Sequence, residues 1–441
     1  MADRVDRRGF LGISGAAMAA APGTTQSAAA QRLTRPVRLG FVGVGDRGSY
    51  HLDIALGMDG IEVPAVCDIN PAVLHRAKTW IEESGKPPPR LYGKTRTDFE
   101  RMCEQEDLDC IICSTSWKWH APILLAAMRN GKNAVSEVPL IQTLDEAWEI
   151  VETHEQTGKW ATLGFKGVHS TLTNMVHQGV LGDIIHAESG YVHDLRLVKF
   201  DPEREPWRLQ HSVDRNGNLY PDHPTCRLMP VMDINHSDRF ELLVSMSSKA
   251  VMLNRYADLF YGPDHPYATK EMKQGDYNCT LLRTVGGKLY TLNFDTNTPH
   301  PREFTRIQGT KGVLYYSRGI GQFIYVDGVS PDHQWEPAEQ HMEEYRHPVE
   351  KEYTPRPREA IRGHGGGQRT TPLSWHRLFE ALVEQRVTDF DVYDSVTSSV
   401  ISPLSERSVA NRSEPVEFPD FTKGKWKERL PVEVAYDRAL G

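Results

Sequence analysis

One stretch near the start of the chain, Val37 to Asp68, limits the fold more than any other feature. It reads V-R-L-G-F-V-G-V-G-D-R-G, then an amphipathic segment, then I-E-V-P-A-V-C-D. Val37 to Val42 is short, apolar and rich in β-branched residues, as a buried parallel strand requires. Gly43, Gly45 and Gly48 follow in the G-x-G-x-x-G spacing. Their roles there are a tight turn, close approach of backbone to a pyrophosphate, and close helix–strand packing. A helix starting near Gly48 turns its free N–H groups and positive dipole end toward the phosphates. A second apolar strand ends at Asp68, about 20 residues beyond the last glycine, where a carboxylate accepts hydrogen bonds from a ribose 2′-OH. Strand, glycines, helix, strand and terminal acid in this order predict NAD binding. Asp68 selects NAD over NADP, because its charge repels a 2′-phosphate.

The chain has 441 residues, enough for two or three domains with sizeable cores. A net charge of −8 with no lysine/arginine run argues against nucleic acid or an anionic membrane as partner. Beyond the N-terminus no apolar stretch approaches the ~20 residues of a membrane span. Asp6-Arg7-Arg8-Gly9-Phe10-Leu11 is a twin-arginine pattern, followed by an Ala/Gly-rich run and the small residues Ser27 to Ala30. This order of charged, apolar and small segments reads as a signal peptide over residues 1–30, exported by the twin-arginine route to the periplasm. That route moves folded proteins, which suits a chain that must leave the cytoplasm with NAD already bound. Cys110 and Cys113 sit three apart on an expected strand and point to opposite faces, so they form neither a redox nor a zinc C-x-x-C.

Residues 36–160 alternate apolar strands with helical patterns, the signature of a Rossmann-type doubly wound parallel sheet in an α/β protein. Strands are expected at Leu91-Tyr92, Asp109–Ser114 and Asn133–Ser136, with an amphipathic helix over Ala121–Gly131. The loops after the last two strands, Ser114–Pro122 and Glu137-Val138-Pro139, should line the nicotinamide end of the crevice. Residues 161–441 read as a substrate-binding α+β domain with a mostly antiparallel open sheet. Its strands are expected at Ile184–Val192, Ala250–Asn254, Tyr277–Val285, Lys288–Phe294, Thr305–Gln308 and Gly312–Ser317. Pro331 to Gly367 reads as a polar surface excursion, Leu373 to Glu384 as a helix, and Asn411 to Trp426 as a segment packing back across the surface.

V-G-V-G-D-R-G, S-W-K-W-H-A-P, E-V-P, Q-G-V-L-G-D and G-T-K-G resemble the glucose–fructose oxidoreductase/inositol dehydrogenase superfamily. Within it, G-Y-V-H-D-L-R (Gly190–Arg196), R-N-G-N-L-Y-P-D-H (Arg215–His223), L-V-S-M-S-S (Leu243–Ser248) and P-L-S-E-R-S-V-A-N-R-S (Pro403–Ser413) are similar to glycoside hydrolase family 109, which contains NAD-dependent α-N-acetylgalactosaminidases. The resemblance implies NAD contacts at Asp46, Arg47, Asp68, Trp117, Lys118, Trp119, His120, Glu137 and Val138. It implies sugar contacts at Tyr191, Arg208, Tyr220, Pro221, Asp222 and His223. It also implies a mechanism in which bound NAD oxidises the sugar at C3, a base removes the acidified C2 proton, the C1 group leaves, water adds and the hydride returns. The chain departs from the family pattern at Pro224-Thr225-Cys226-Arg227, at Phe304, and at Gly164-Phe165-Lys166, where an Asn-x-x-Tyr is absent.

The residues themselves suit such chemistry. Tyr191 and His193 lie two apart on an expected strand and so share a face, with His193 as base and Tyr191 as sugar contact; a buried sheet pair is the plain alternative. His223 follows in a turn-rich loop, where exposure is the default. His120 is a cofactor neighbour or a helix cap. No histidine set has metal-ligand spacing, so no metal is expected. The partner is a carbohydrate, and a homo-oligomer stays open. Two alternatives compete: a sugar or polyol dehydrogenase, disfavoured because Val138 replaces the lysine of the usual Glu-Lys-Pro, and a sugar-binding relative of impaired activity. Replacing Arg7 and Arg8 together by lysine is expected to keep the protein in the cytoplasm with its fold intact; normal export of that variant would overturn the signal reading.

Overall fold

The computed structural model describes residues 32–166, 170–202, 207–302, 304–353, 362 and 372–430. The twin-arginine segment expected over residues 1–30 lies outside the described residues. The first sheet comprises β1 (Val37–Val42), β2 (Ile61–Cys67), β3 (Arg90–Tyr92), β4 (Cys110–Cys113), β5 (Asn133–Ser136) and β6 (Ala161–Thr162). All of its pairings are parallel, in the order β3-β2-β1-β4-β5-β6. The order reverses between β1 and β4, which opens a crevice at their carboxyl ends. Helix starts follow local chemistry. Asn70 accepts from the N–H groups of Ala72 and Val73 ahead of Pro71–Glu83, and Thr143 with Glu146 forms a capping box before Leu144–Thr157.

The second sheet comprises β7 (Ile184–Val192), β8 (Phe240–Ser247), β9 (Asn278–Thr284), β10 (Leu289–Asp295), β11 (Phe304–Gly309), β12 (Gly312–Ser317), β13 (Gly321–Val326), β14 (Glu336–Pro337) and β15 (Val416–Glu417). Its order is β14-β13-β12-β11-β7-β10-β9-β8-β15, antiparallel except for the β7–β10 pair. The fold class is therefore the one expected, a parallel Rossmann sheet followed by a mostly antiparallel one. Among the described residues no helix is long and apolar enough to cross a membrane. All six cysteines are free.

Several local expectations give way to packing. Ala250–Asn254 is not a strand: helix Met252–Tyr261 forms there, because Asp276 accepts the N–H groups of Val251 and Met252 and Leu253 packs with Leu209, Val213 and Met272. His223 lies not in a loop but on the first turn of helix Asp222–Leu228. The segment after Asn411 does more than cross the surface, since β15 extends the sheet beside β8 and Phe421 is buried. Within Pro331–Gly367 the short helices Glu339–Glu344 and Pro348–Glu352 appear.

The element that joins the two sheets is helix Val392–Ala410, started by an Asp391/Asp394 capping box and buried along most of its length. Its serines lie between both halves. Ser395 and Ser399 accept the N–H groups of Leu163 and Leu140 at 3.0 and 2.9 Å. Ser405 and Ser408 accept those of Asn218 and Ser245 at 2.8 and 2.9 Å. Ser399→Ala would strand the Leu140 N–H and remove a hydroxyl from buried Asp222. It is expected to lower the unfolding free energy by about 1–3 kcal/mol, read as a shifted urea midpoint; an unmoved midpoint would show that these bonds contribute nothing net.

Candidate active site

The glycine loop is built for close approach. Gly43 has φ of +80°, and a Cβ there would lie 2.7 Å from the Ser114 carbonyl oxygen; one on Gly48 would lie 1.9 Å from the Gly43 oxygen. At Gly45, by contrast, a Cβ would meet nothing within 4 Å, because that position faces a cleft of about 820 Å³. Helix Asp46–Leu56 starts there with no side-chain cap, so the positive end of its dipole faces the cleft. Buried Ser114 Oγ, at the end of β4, has no hydrogen-bond partner among the described residues and lines the same cleft. Asp68 Oδ2 accepts the Val44 N–H at 2.8 Å and Oδ1 that of Asn70 at 2.9 Å. Its carboxylate thus braces the loop while lining the cleft. This donor set at a sheet switch point fits a dinucleotide pyrophosphate, with Asp68 at the ribose.

Of the expected cofactor residues, Gly43, Gly45, Asp46, Arg47, Asp68, Trp117, Trp119, His120, Glu137 and Val138 line this cleft. Gly48 and Lys118 do not: Gly48 packs against the loop carbonyl, and the Lys118 side chain reaches the outer ring of Trp119 instead. His120 is clamped between the carbonyl oxygens of Pro139 and Thr115 at 2.6 and 3.0 Å, tying the two nicotinamide-end loops together. Burial lowers its pKa.

Glu137 is not a solvated strand end but a buried charge at the cleft. Its Oε1 receives Arg47 Nε at 2.6 Å and His51 Nε2 at 2.7 Å, and Lys166 Nζ stands 3.7 Å from Oε2. Burial alone would raise this carboxyl, but Lys166, His51 and Arg47 hold it well below the usual range. Burial pushes His51 down to about 4, so neutral His51 donates from Nε2 while Nδ1 accepts the Trp375 indole N–H at 3.1 Å.

Across the cleft, β7 and helix Asp222–Leu228 present the sugar-side residues. Tyr191 Oη is 3.2 Å from His193 Nδ1, and Arg302 lies 3.2 Å from the same ring. The rings of Tyr191 and His223 stack at 5.1 Å, Tyr220 meets Tyr191 edge-on at 4.5 Å, and Trp117 stacks on Tyr220 at 5.2 Å. Arg208 lies over Trp117 and Tyr220. Burial and then Lys166 push His223 well below the ordinary histidine range, so it is neutral at pH 7. Tyr191, His193, Arg208, Tyr220 and His223 therefore share one wall. Pro221 and Asp222 stand behind it: Asp222 is fully buried, its Oδ1 accepting Ser398 and Ser399 hydroxyls at 2.8 and 2.5 Å, and acts on the sugar side only by seating His223.

Sequence reasoning missed Lys166 and Arg302. Lys166 was visible only as a departure from a motif; the lysine that Val138 lacks is brought to Glu137 from the end of β6 instead. Of the three departures, Gly164–Lys166 and Pro224–Arg227 border a second cavity that continues behind Tyr191 and His223, whereas Phe304 only adjoins it through Thr305.

Comparison with known proteins places the chain. A family profile described as "Oxidoreductase family, NAD-binding Rossmann fold" matches residues 37–165, and "Glycosyl hydrolase 109, C-terminal domain" matches residues 168–428. A glycosyl hydrolase family 109 protein of Stenotrophomonas maltophilia is 36% identical over 455 residues, covering 97% of each chain. One from Shewanella pealeana is 36% identical over 408 residues, covering 90% of this chain and 88% of its own. Among solved structures, levoglucosan dehydrogenase in complex with NADH and levoglucosan superposes with a TM-score of 0.64 at 17% identity, over 88% of this chain and 100% of that one, a likeness of fold. The cofactor is NAD.

Burial raises Asp222 to about 6 from its ordinary 3.8. Between those values the native state keeps a proton that the unfolded chain releases, so this group's contribution falls as pH rises through the window. Asp222→Asn abolishes that loss. The stability of Asp222→Asn relative to the parent is expected to rise by up to about 3 kcal/mol from pH 4 to pH 7, measured by urea denaturation at both; a constant difference would refute the assignment.

Proposed function

Because the chain belongs to glycosyl hydrolase family 109, we propose that it is an NAD-dependent glycosidase acting through transient oxidation at C3 of a sugar, with an α-N-acetylgalactosaminide as the first substrate to test. The observation that carries this is one continuous cleft running from the glycine loop to the Tyr191–His193–His223 wall. Hydride and proton chemistry thus share a single space. Bound NAD supplies a reversible hydride acceptor there.

The chain's own residues do the rest. His193, hydrogen-bonded through Nδ1 to Tyr191 Oη, takes the C2 proton once a C3 ketone has acidified it, exchanges it with solvent, and delivers a proton back to C2 after water has added. Arg302 beside the imidazole restrains the ring. Tyr191 and neutral His223 hold sugar hydroxyls, and Lys166 Nζ, held by Glu137, offers a hydrogen bond to a sugar oxygen on the same wall. The stacked rings of Trp117 and Tyr220 exclude water and give the sugar an apolar face. Departure of the C1 group and addition of water make the net reaction hydrolysis.

A second reading is a dehydrogenase that releases NADH. Lys166 beside Glu137 favours it, since the pair restores in space a carboxylate–lysine set that Val138 removes in sequence.

Incubation of the purified protein with aryl α- and β-glycosides, without added cofactor, separates the two. Hydrolysis in deuterated water is expected to place deuterium at C2 of the released sugar, while a 3-deoxy substrate stays intact. Tyr191→Phe or His193→Ala is expected to lower turnover by roughly 10²–10⁴-fold. Cleavage of the 3-deoxy substrate sinks the redox mechanism; stoichiometric NADH without cleavage establishes the dehydrogenase.

A further inference from the structure

Behind Tyr191 and His223 the second cavity encloses about 540 Å³ and shares Lys166 and Arg302 with the main cleft. Its charges are unevenly satisfied. Of its two acids among the described residues, Asp389 is bound bidentately by Arg377 at 2.8 and 2.9 Å. Glu350 accepts the N–H and hydroxyl of Thr171 at 3.0 and 2.7 Å. On the cationic side, Arg227 and Arg318 also line the cavity, and neither pairs with a carboxylate or an acceptor among the described residues. Arg227 is half-buried, on the helix that carries His223. A guanidinium drawn partly out of water with no counter-charge is costly, and an anion entering the cavity offsets that cost. The charges of Lys166, Arg227 and Arg302 all act on His223, opposed by Glu137, which already holds Lys166, so three cations and one carboxylate converge on one corner of the site.

We propose that this cavity binds an oxyanion carried by the sugar, so that the enzyme's substrate is an acidic glycoside, a uronate or a sulfate ester, with Arg227 as the main guanidinium partner flanked by Arg302 and Arg318. The proposal rests on the glycosidase reading for the ligand being a sugar. Planar guanidinium groups suit both carboxylate and sulfate geometry.

The test is calorimetric binding of three free sugars to the purified full chain: N-acetylgalactosamine, its 6-sulfate, and galacturonic acid. One acidic sugar is expected to bind roughly 10- to 100-fold more tightly than the neutral one, with an advantage that shrinks as salt is raised. The ranking of sulfate against carboxylate identifies the source of the oxyanion. Arg227→Gln is expected to remove most of the acidic advantage, and Arg227→Lys to restore part of it, which a damaged fold would not do. Equal binding of the three sugars, or equal losses for acidic and neutral sugars in Arg227→Gln, overturns the proposal. Tight acidic binding without hydrolysis of any glycoside leaves the anion site standing and removes the glycosidase; hydrolysis of neutral glycosides with no acidic preference does the reverse.

Discussion

Serine hydroxyls on one buried helix hold this molecule together. Helix Val392–Ala410 touches the parallel sheet through Ser395 and Ser399 and the second sheet through Ser405 and Ser408, each time accepting a backbone N–H that would otherwise be buried without a partner. Such groups are few in folded proteins because each costs about 1–3 kcal/mol. The spacing of these serines therefore sets how the two sheets stand relative to each other. Ser398 and Ser399 also hold Asp222, and with it the helix that delivers His223 to the cleft. The wall that carries His223 is positioned from behind by residues that do not line the cleft.

A second constraint is the buried Glu137 carboxylate. It is kept ionised by Arg47, His51 and Lys166, and Phe165 stacks on His51 at 3.9 Å while Trp375 bonds its other nitrogen. This network joins the glycine loop's helix, the end of β5, the end of β6 and helix Leu373–Val383 around one charge. Breaking one partner of such a group leaves an uncompensated buried charge, which is why it is rigid. The parallel sheet fixes where a hydride acceptor lies, while the acids and bases around it arrive on segments free to differ.

Much of this was legible in the residues themselves. The strand–glycine–helix–Asp68 series, the parallel sheet and the pairing of Tyr191 with His193, which lies just past the end of β7, all follow from periodicity and turn chemistry within short stretches of chain. The serine helix was missed because it lacks an apolar stripe: polar residues bury along it, and their partners lie 259 residues away for Leu140–Ser399 and 163 for Ser245–Ser408. Helix Met252–Tyr261 was misread as a strand because its cap, Asp276, follows it by two dozen residues.

Sequence by itself determined the architecture and the cofactor, since a parallel strand, a φ-positive glycine and an acid at a strand end are enforced by atoms close along the chain. Only the tertiary structure decided which side chains of the second half face the cofactor cleft. It set Lys166 against Glu137, buried Asp222 behind the cleft wall to seat His223, and left Arg227 facing a cavity with no counter-charge among the described residues. Those outcomes depend on which distant groups meet in a low-dielectric space, where the stability of a charge is set by its neighbours in three dimensions rather than by its place in the chain.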